Sequence, residues 1–202
     1  YSDVASEVAK SLTVALDDPE RRALAVRPTD NAEAYDLYLR AIDYLQRGIS
    51  AEVFANAIPM LERAVVLDST FALAWGQLSE MLALSHWLYI SHTDETMVRA
   101  KAAAERALAL QPDLPEAHRA MGNYYYRERE YDKALAELAI AQKGRPNDVE
   151  LVSAIAYVER RQGRWQEAVD QMEKWRQLDP GSPRVYYSLG ETLVAMRRYD
   201  EA

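Results

Sequence analysis

Apolar residues recur along most of this chain at helical spacing, and the clearest run lies between Pro115 and Asp148. His118, Met121, Gly122 and Tyr125 follow one another at steps of three, one and three, which gathers them on one face of a first helix, with Gly122 where another backbone comes close. Ala134, Leu138 and Ala141 do the same for a second helix, which Pro146 ends. Near the start of the chain, Val4, Val8, Leu12 and Leu16 recur every fourth position, one stripe of a helix too short to stand alone in water. Asp18-Pro19-Glu20 reads as an N-cap, a first-turn proline and a first-turn acid, so a second short helix is predicted to run to about Val26. Arg27-Pro28 stops it, because a residue before proline is pushed out of the helical region. Asp30 with Glu33 then predicts a capping box for the next helix.

The thirty-four residues 115–148 resemble the tetratricopeptide repeat, whose signature is an aromatic, a Leu-Gly pair and a Tyr, then Ala, Phe and Pro at these intervals. The resemblance implies an all-α fold, a right-handed α-solenoid of stacked antiparallel helix pairs. It divides the chain into an N-terminal helical segment, 1–29, and a solenoid, 30–202, with repeats at 32–71, 72–114, 115–148, 149–182 and a truncated 183–202.

The first repeat places Tyr35, Tyr38 and Ile42 on one helix and Ala57, Leu61, Ala64 and Leu67 on the next. It departs from the pattern with Leu39 where a small residue is usual, Ser69 where proline is usual, and extra residues around Gly48-Ile49-Ser50. Pro59 either kinks the second helix or marks a start later than Ala55. The second repeat carries Trp75, Leu78, Ser79 and Leu82, then Ala100, Ala104 and Ala107 before Pro112. Its extra length reads as an extension of both helices, with a turn near Ser91 to Glu95 capped by Thr93 or Asp94. The fourth offers Val152, Ile155, Ala156, Ala168, Met172, Leu178 and Pro180, with Trp165 as its turn aromatic. Trp175 stands where alanine is usual, so it is expected to widen the stacking or to cover the next helix. The fifth shows Tyr186, Leu189, Gly190 and Leu193. With no second helix after it, Val185, Leu189, Leu193 and Met196 are expected to be partly unburied, and this end to fray or to pack against another copy.

A second resemblance lies in Pro28, Thr29, Asn31, Glu33, Ala34, Tyr35, Leu37, Tyr38 and Leu39. This string is similar to the segment that leads into such repeats in bacterial signalling proteins, after a class III nucleotide cyclase, a serine/threonine kinase or a winged-helix regulator, often through a TolB-like domain. The resemblance implies that the helix at Asp3 to Leu16 is the tail of an upstream domain. No catalytic residue of a cyclase or kinase falls within the chain.

Composition narrows the partner. Half of the 202 residues are apolar (49%), enough for a substantial core, and no run approaches the roughly 18 apolar residues of a membrane span. Lys and Arg number 24 against 32 Asp and Glu, and the net charge of −8 repels a phosphate polyanion, so nucleic acid is not expected as a partner. Cysteine is absent, which removes disulfides, thiolate metal sites and cysteine nucleophiles without fixing the compartment; a cytoplasmic location is the expectation.

No phosphate loop, dinucleotide fingerprint, zinc-protease helix or nucleophile elbow occurs, and 7 glycines leave little for phosphate-cradling loops. His86 and His92, beside Asp94 and Glu95, are spaced by six and so do not share a helix face as a ligand pair; they read as surface histidines on a helical hairpin. His118 takes an aromatic's place in the core. Abundant acids lie near Lys or Arg on helix faces, as Glu128 and Asp132 do near Lys133, which is the pattern of solvated surfaces. No catalytic, cofactor or metal residues are therefore assigned, and the chain is not expected to be an enzyme.

In a stack of such repeats the first helices line the inside of a curved ladder. The stripe facing inward comprises Glu116, Arg119, Asn123, Tyr126 and Arg127 from the third repeat and Glu150, Ser153, Tyr157, Arg160 and Arg161 from the fourth. The fifth adds Arg184, Tyr187 and Glu191, and the second gives Leu73, Gly76, Glu80, Ala83 and Leu84. Arginine grips carboxylates through two bonds and tyrosine supplies rigid contact area, so Arg119, Asn123, Tyr126, Arg127, Tyr157, Arg160, Arg161, Arg184 and Tyr187 are the candidate groove for a protein or peptide with acidic residues. The plain alternative is that these arginines pair with Glu116, Glu150 and Glu191 as solvated ion pairs. Arg119 and Asn123 match two places of the family's carboxylate clamp, with Arg for the usual Lys, whereas Ala154 stands where the clamp expects Asn. The expected function is a non-catalytic interaction scaffold in a larger signalling protein; the alternative is a structural or self-associating module without a peptide ligand.

Overall fold

A computed structural model describes residues 28–201. The expected helices over Asp3 to Leu16 and up to Val26, most of the segment 1–29, and Ala202 lie outside the described residues. Within them the regular elements are helices: α1 (Ala32–Gln46), α2 (Ala51–Leu67), α3 (Ala72–Trp87), α4 (Asp94–Leu110), α5 (Pro115–Arg127), α6 (Tyr131–Gly144), α7 (Val149–Arg161), α8 (Trp165–Leu178) and α9 (Pro183–Ala195). Successive helices pair as α1/α2, α3/α4, α5/α6 and α7/α8, and each pair packs on the next, giving an α-solenoid of stacked antiparallel hairpins.

Small residues set the spacing. Ala57, Ala64, Ala100, Ala104, Ala107, Ala134, Ala141 and Ala168 are fully buried, so the helices approach closely wherever the second helices carry alanine. At Gly122 an added Cβ would lie 2.7 Å from Leu138 Cγ and 3.2 Å from the Ala134 carbonyl oxygen, so only glycine lets α6 seat against α5 without displacement. In α1 the register is set by Ala34 and Ala41, both fully buried and seven apart. Leu39, which stands in the usual small-residue place, is consequently turned outward and exposed.

Helix boundaries follow local chemistry. The α1 cap is Asn31 rather than Asp30, because the helix starts at Ala32: Asn31 Oδ1 accepts from Ala34 N at 3.0 Å while its amide donates to the Leu67 carbonyl at 3.2 Å. Ser50 caps α2, Thr93 caps α4 and Asp148 caps α7. Where Ser69 replaces the closing proline, Asp68 makes the turn instead, accepting from Thr70 N at 2.9 Å and from the Thr70 hydroxyl at 2.6 Å. Pro59 sits inside α2, which begins at Ala51, so the later start is excluded.

In the second repeat both helices are longer than their successors, 16 and 17 residues against 13 and 14. The turn between them starts at Leu88, earlier than Ser91. Tyr89 adopts a left-handed conformation (φ 58°) and Ile90 N reaches back to the Ser85 carbonyl at 3.0 Å. Arg129 (φ 62°), Gly163 (φ 77°) and Arg197 (φ 60°) repeat that closure at the ends of α5, α7 and α9, although glycine is present at one of these turns alone.

Trp175 is fully buried among Val152, Ala156, Met172 and Val185, so it covers the next helix, α9. Val185 and Leu193 are buried as a result, contrary to the expectation of partial exposure, while Leu189 and Met196 remain partly accessible. Trp165, 40% exposed, begins α8 with its indole nitrogen beside the turn glycine: a Cβ on Gly163 would lie 3.8 Å from Trp165 Nε1.

Candidate functional site

The first helices α3, α5, α7 and α9 lie side by side, and their side chains interlock into one continuous wall. From α5, Arg119 donates through Nε to Glu80 Oε1 at 2.7 Å and through Nη2 to Oε2 at 3.0 Å, a two-pronged pair with α3. Asn123 adds a longer contact, Nδ2 to Glu80 Oε1 at 3.4 Å. Glu80 raises the pKa of Arg119 further above its ordinary value, against the opposing effect of burial. Between α7 and α9, Arg184 donates to Glu150 at 3.0 Å, Arg160 to Glu191 at 3.4 Å, and the Tyr157 hydroxyl meets Ser188 Oγ at 3.2 Å. Between α5 and α7, Arg161 Nε donates to the Tyr126 hydroxyl at 3.4 Å.

Three of the expected arginines, Arg119, Arg160 and Arg184, are thus engaged by glutamates of neighbouring repeats. Glu116 instead turns to Arg145, at the end of α6. The exposed pairs contribute roughly 0–1 kcal/mol each and act mainly to hold the wall's side chains in register.

Arg127 is different. Among the described residues no carboxylate lies within ion-pair distance of it, and its Nε is shielded from solvent without a hydrogen-bond partner. Burial pulls its pKa below the ordinary value, with Tyr126 and then Glu80 acting in the opposite sense. The guanidinium carbon lies 5.7 Å from the ring centroid of Trp87, the last residue of α3, and Trp87 is 6.2 Å from the Tyr126 ring. Trp87 itself is 42% exposed. Tyr187 is also open to solvent, and the Glu191 carboxylate beside it raises its pKa.

Several stripe positions are covered. Gly76 and Ala83 are buried rather than inward-facing, because α3 and α5 come together there: a Cβ on Gly76 would be 3.6 Å from the Glu116 carbonyl oxygen. Ser153 is likewise buried and donates back to the Glu150 carbonyl at 3.0 Å. His118 is buried, with Nε2 donating to the Pro112 carbonyl and Nδ1 on the Glu137 carboxylate, both at 2.7 Å, so it fastens α5 to the preceding loop and to α6. His86 and His92 stack at 4.0 Å, and Tyr89 stacks on His92 at 4.3 Å, a closed aromatic ladder on the turn.

Sequence reasoning passed over Trp87 and the partner role of Glu80. The signal was spacing: Glu80, Leu84 and Trp87 fall at steps of four and three on the same face of α3.

Comparison with known proteins agrees with this geometry. Residues 99–149 and 119–183 match the family model described as tetratricopeptide repeat. The structure of Pseudomonas aeruginosa pilF superposes with a TM-score of 0.63 at 19% identity, covering 83% of this chain and 70% of that one. The described residues of this chain form the same all-α repeat solenoid, with the tetratricopeptide-repeat match lying over 99–183. MamA from Desulfovibrio magneticus RS-1 shares the fold, with a TM-score of 0.59 at 17% identity over 86% of this chain and 90% of that one. In sequence, Hsp70-Hsp90 organizing protein 3 of Arabidopsis thaliana is 30% identical over 104 residues, 52% of this chain, and organizing protein 2 of the same plant is 29% identical over 104 residues. The chain spans about a fifth of the length of these curated relatives. No helix among the described residues is long and apolar enough to cross a membrane.

Proposed function

We propose that this solenoid is a non-catalytic scaffold, the regulatory repeat region of a larger bacterial signalling protein, that holds a peptide or partner segment against its inner wall. The observation that carries the reading is the division of labour among the inner arginines. Arg119, Arg160 and Arg184 are fixed by glutamates, whereas Arg127 and Arg161 pair with no carboxylate among the described residues, and they stand with Tyr126 and Trp87 as contact groups on the wall. A wall arranged in advance loses little freedom on binding, which favours recognition of an extended segment. The signalling context rests on the similarity of the string from Pro28 to Leu39.

Capture of a chaperone tail, suggested by the names of the curated relatives, fits less well. The two clamp places that match, Arg119 and Asn123, already hold Glu80, and Ala154 supplies no amide. A second reading is self-association through α9, favoured by the exposed Tyr186 and Val194 on that helix.

Peptides enriched by display against the 202-residue chain separate the two readings. Arg127→Glu combined with Arg161→Glu should abolish their capture while leaving the helical circular dichroism and the sedimentation coefficient unchanged. Capture that survives the double change overturns the groove reading. A sedimentation coefficient that rises with protein concentration, and that Tyr186→Ser returns to a concentration-independent value, supports α9 association instead.

A further inference from the structure

We infer that the ends of α3 and α5 form an anchor for a single peptide carboxylate lying beside an apolar side chain, with Arg127 taking the carboxylate and Trp87 the apolar group. The inference rests on the inner-wall reading and specifies where on that wall the contact is made and what chemistry it takes.

Folding seldom leaves a shielded cation without an anion, because the lost hydration is recovered only through a counter-charge or a full set of hydrogen bonds. Arg127 has neither. Its Nε is buried and unpartnered, and the carboxylate that acts on it most, Glu80, is spent on Arg119 and Asn123. The adjacent Tyr126 has its hydroxyl occupied by Arg161. A guanidinium in this state has donors left for a carboxylate, and the binding of one offsets a desolvation cost that the fold has already met.

The surroundings fix the rest of the ligand. Trp87, 42% exposed, lies 5.7 Å from the same guanidinium, and Leu88 and Tyr89, which follow it in the chain, are exposed as well, Tyr89 at 78%. An apolar side chain next to the bound carboxylate lands on this shelf. A phosphate dianion suits the place less, since it would meet one guanidinium in a chain of net charge −8, close to Glu80. The anchor is distinct from Arg119 and Asn123, which are closed by Glu80.

The test is a titration of the 202-residue chain followed through the arginine Nε–Hε and tryptophan indole resonances, assigned by their loss in Arg127→Lys and Trp87→Phe. The probes are N-acetyl-phenylalanine, N-acetyl-aspartyl-phenylalaninamide, N-acetyl-phenylalaninamide and inorganic phosphate. At least one of the two carboxylate probes should shift both the Arg127 and the Trp87 signals, with the neutral amide binding about tenfold or more weakly. A preference for the first assigns the anchor to a C-terminus, and a preference for the second to an internal acidic residue. Arg127→Lys should weaken the preferred probe about tenfold, and Trp87→Ala, at an exposed position, should weaken it severalfold. Arg119→Lys should leave it unchanged. Equal shifts from acid and amide, tighter binding of phosphate than of either carboxylate, sensitivity to Arg119→Lys, or no shift at Arg127 with any probe overturns the anchor. The last outcome with intact display-peptide capture removes the anchor alone. Loss of the inner-wall reading would show instead as peptide capture indifferent to the double charge reversal, with the fragment titration still deciding the anchor.

Discussion

Glu159, near the end of α7, is a partly buried carboxyl whose raised pKa makes the solenoid's stability depend on pH in an unusual direction. Its Oε2 is buried without a partner. Burial first, and then the nearby Glu167, push its pKa up from the ordinary 4.5 to about 7, with Arg164 opposing them. Between those two values the folded chain keeps the proton that the unfolded chain has released, so stability falls as the pH rises through the window and is steady below it. The whole shift corresponds to roughly 3 kcal/mol, but the carboxyl retains much of its water contact and is screened accordingly, which leaves roughly 1 kcal/mol. Glu159→Gln keeps the shape and removes the charge. In urea titrations followed by circular dichroism, the wild type should lose roughly 1 kcal/mol between about pH 5 and pH 8 relative to the variant, and the variant should be the more stable of the two at the upper end. Parallel curves for the two proteins across that range would refute the reasoning. Asp68 moves oppositely: hydrogen bonds from Thr29 and Thr70 lower its pKa, so its contribution is present at neutral pH and fades as acid protonates it.

Other perturbations follow from contacts already described. Gly122→Ala pushes a methyl group into Leu138 and should cost about 1–3 kcal/mol in a urea midpoint measurement, with an unchanged midpoint counting against the close approach. Trp175→Ala should cost about 3–5 kcal/mol and accelerate hydrogen exchange in α9, whose Val185 the indole covers; unaltered α9 protection would show that the helix is held otherwise. Arg129→Gly relieves a left-handed residue at the end of α5 and should stabilise by roughly 0.5–1 kcal/mol, and a lower midpoint would mean that the arginine's own contacts outweigh its backbone strain.

The helices were legible because each is written twice, in its small buried residues and in its punctuation. Ala134, Leu138 and Ala141 announced α6, and all three are fully buried. The extra length of the second repeat was readable as longer helices with Thr93 or Asp94 as the cap, and Thr93 takes that place. Readings that depended on a single residue fared worse. Asp30 and Asn31 are both good caps, and the choice between them was made by a tertiary acceptor, the Leu67 carbonyl. Leu39 stands in the small-residue place, but its outward direction was not readable there, because Ala34 and Ala41 fix the rotation of α1 against α2. The inner stripe was legible as a list of residues but not as a circuit. Which glutamate takes which arginine depends on cross-repeat distances, so the shared face of Glu80, Leu84 and Trp87 was readable while the engagement of Glu80 by Arg119, and the isolation of Arg127, was not.

That isolation traces back to the same irregularity that lengthens the second repeat. In a regular repeat the first helix would stop about one turn earlier; compared with the 13-residue α5, the 16 residues of α3 carry it on to Trp87. Meanwhile Gly76 draws α3 and α5 together, which brings Glu80 within reach of Arg119 and places Trp87 over Arg127. The close approach of α3 and α5 therefore closes the place at Arg119 and Asn123, while the longer α3 opens another about two turns further along α5. Shortening α3 while keeping the repeat register should remove the indole shelf and leave the Arg119 pair intact, so the two places are separable by design.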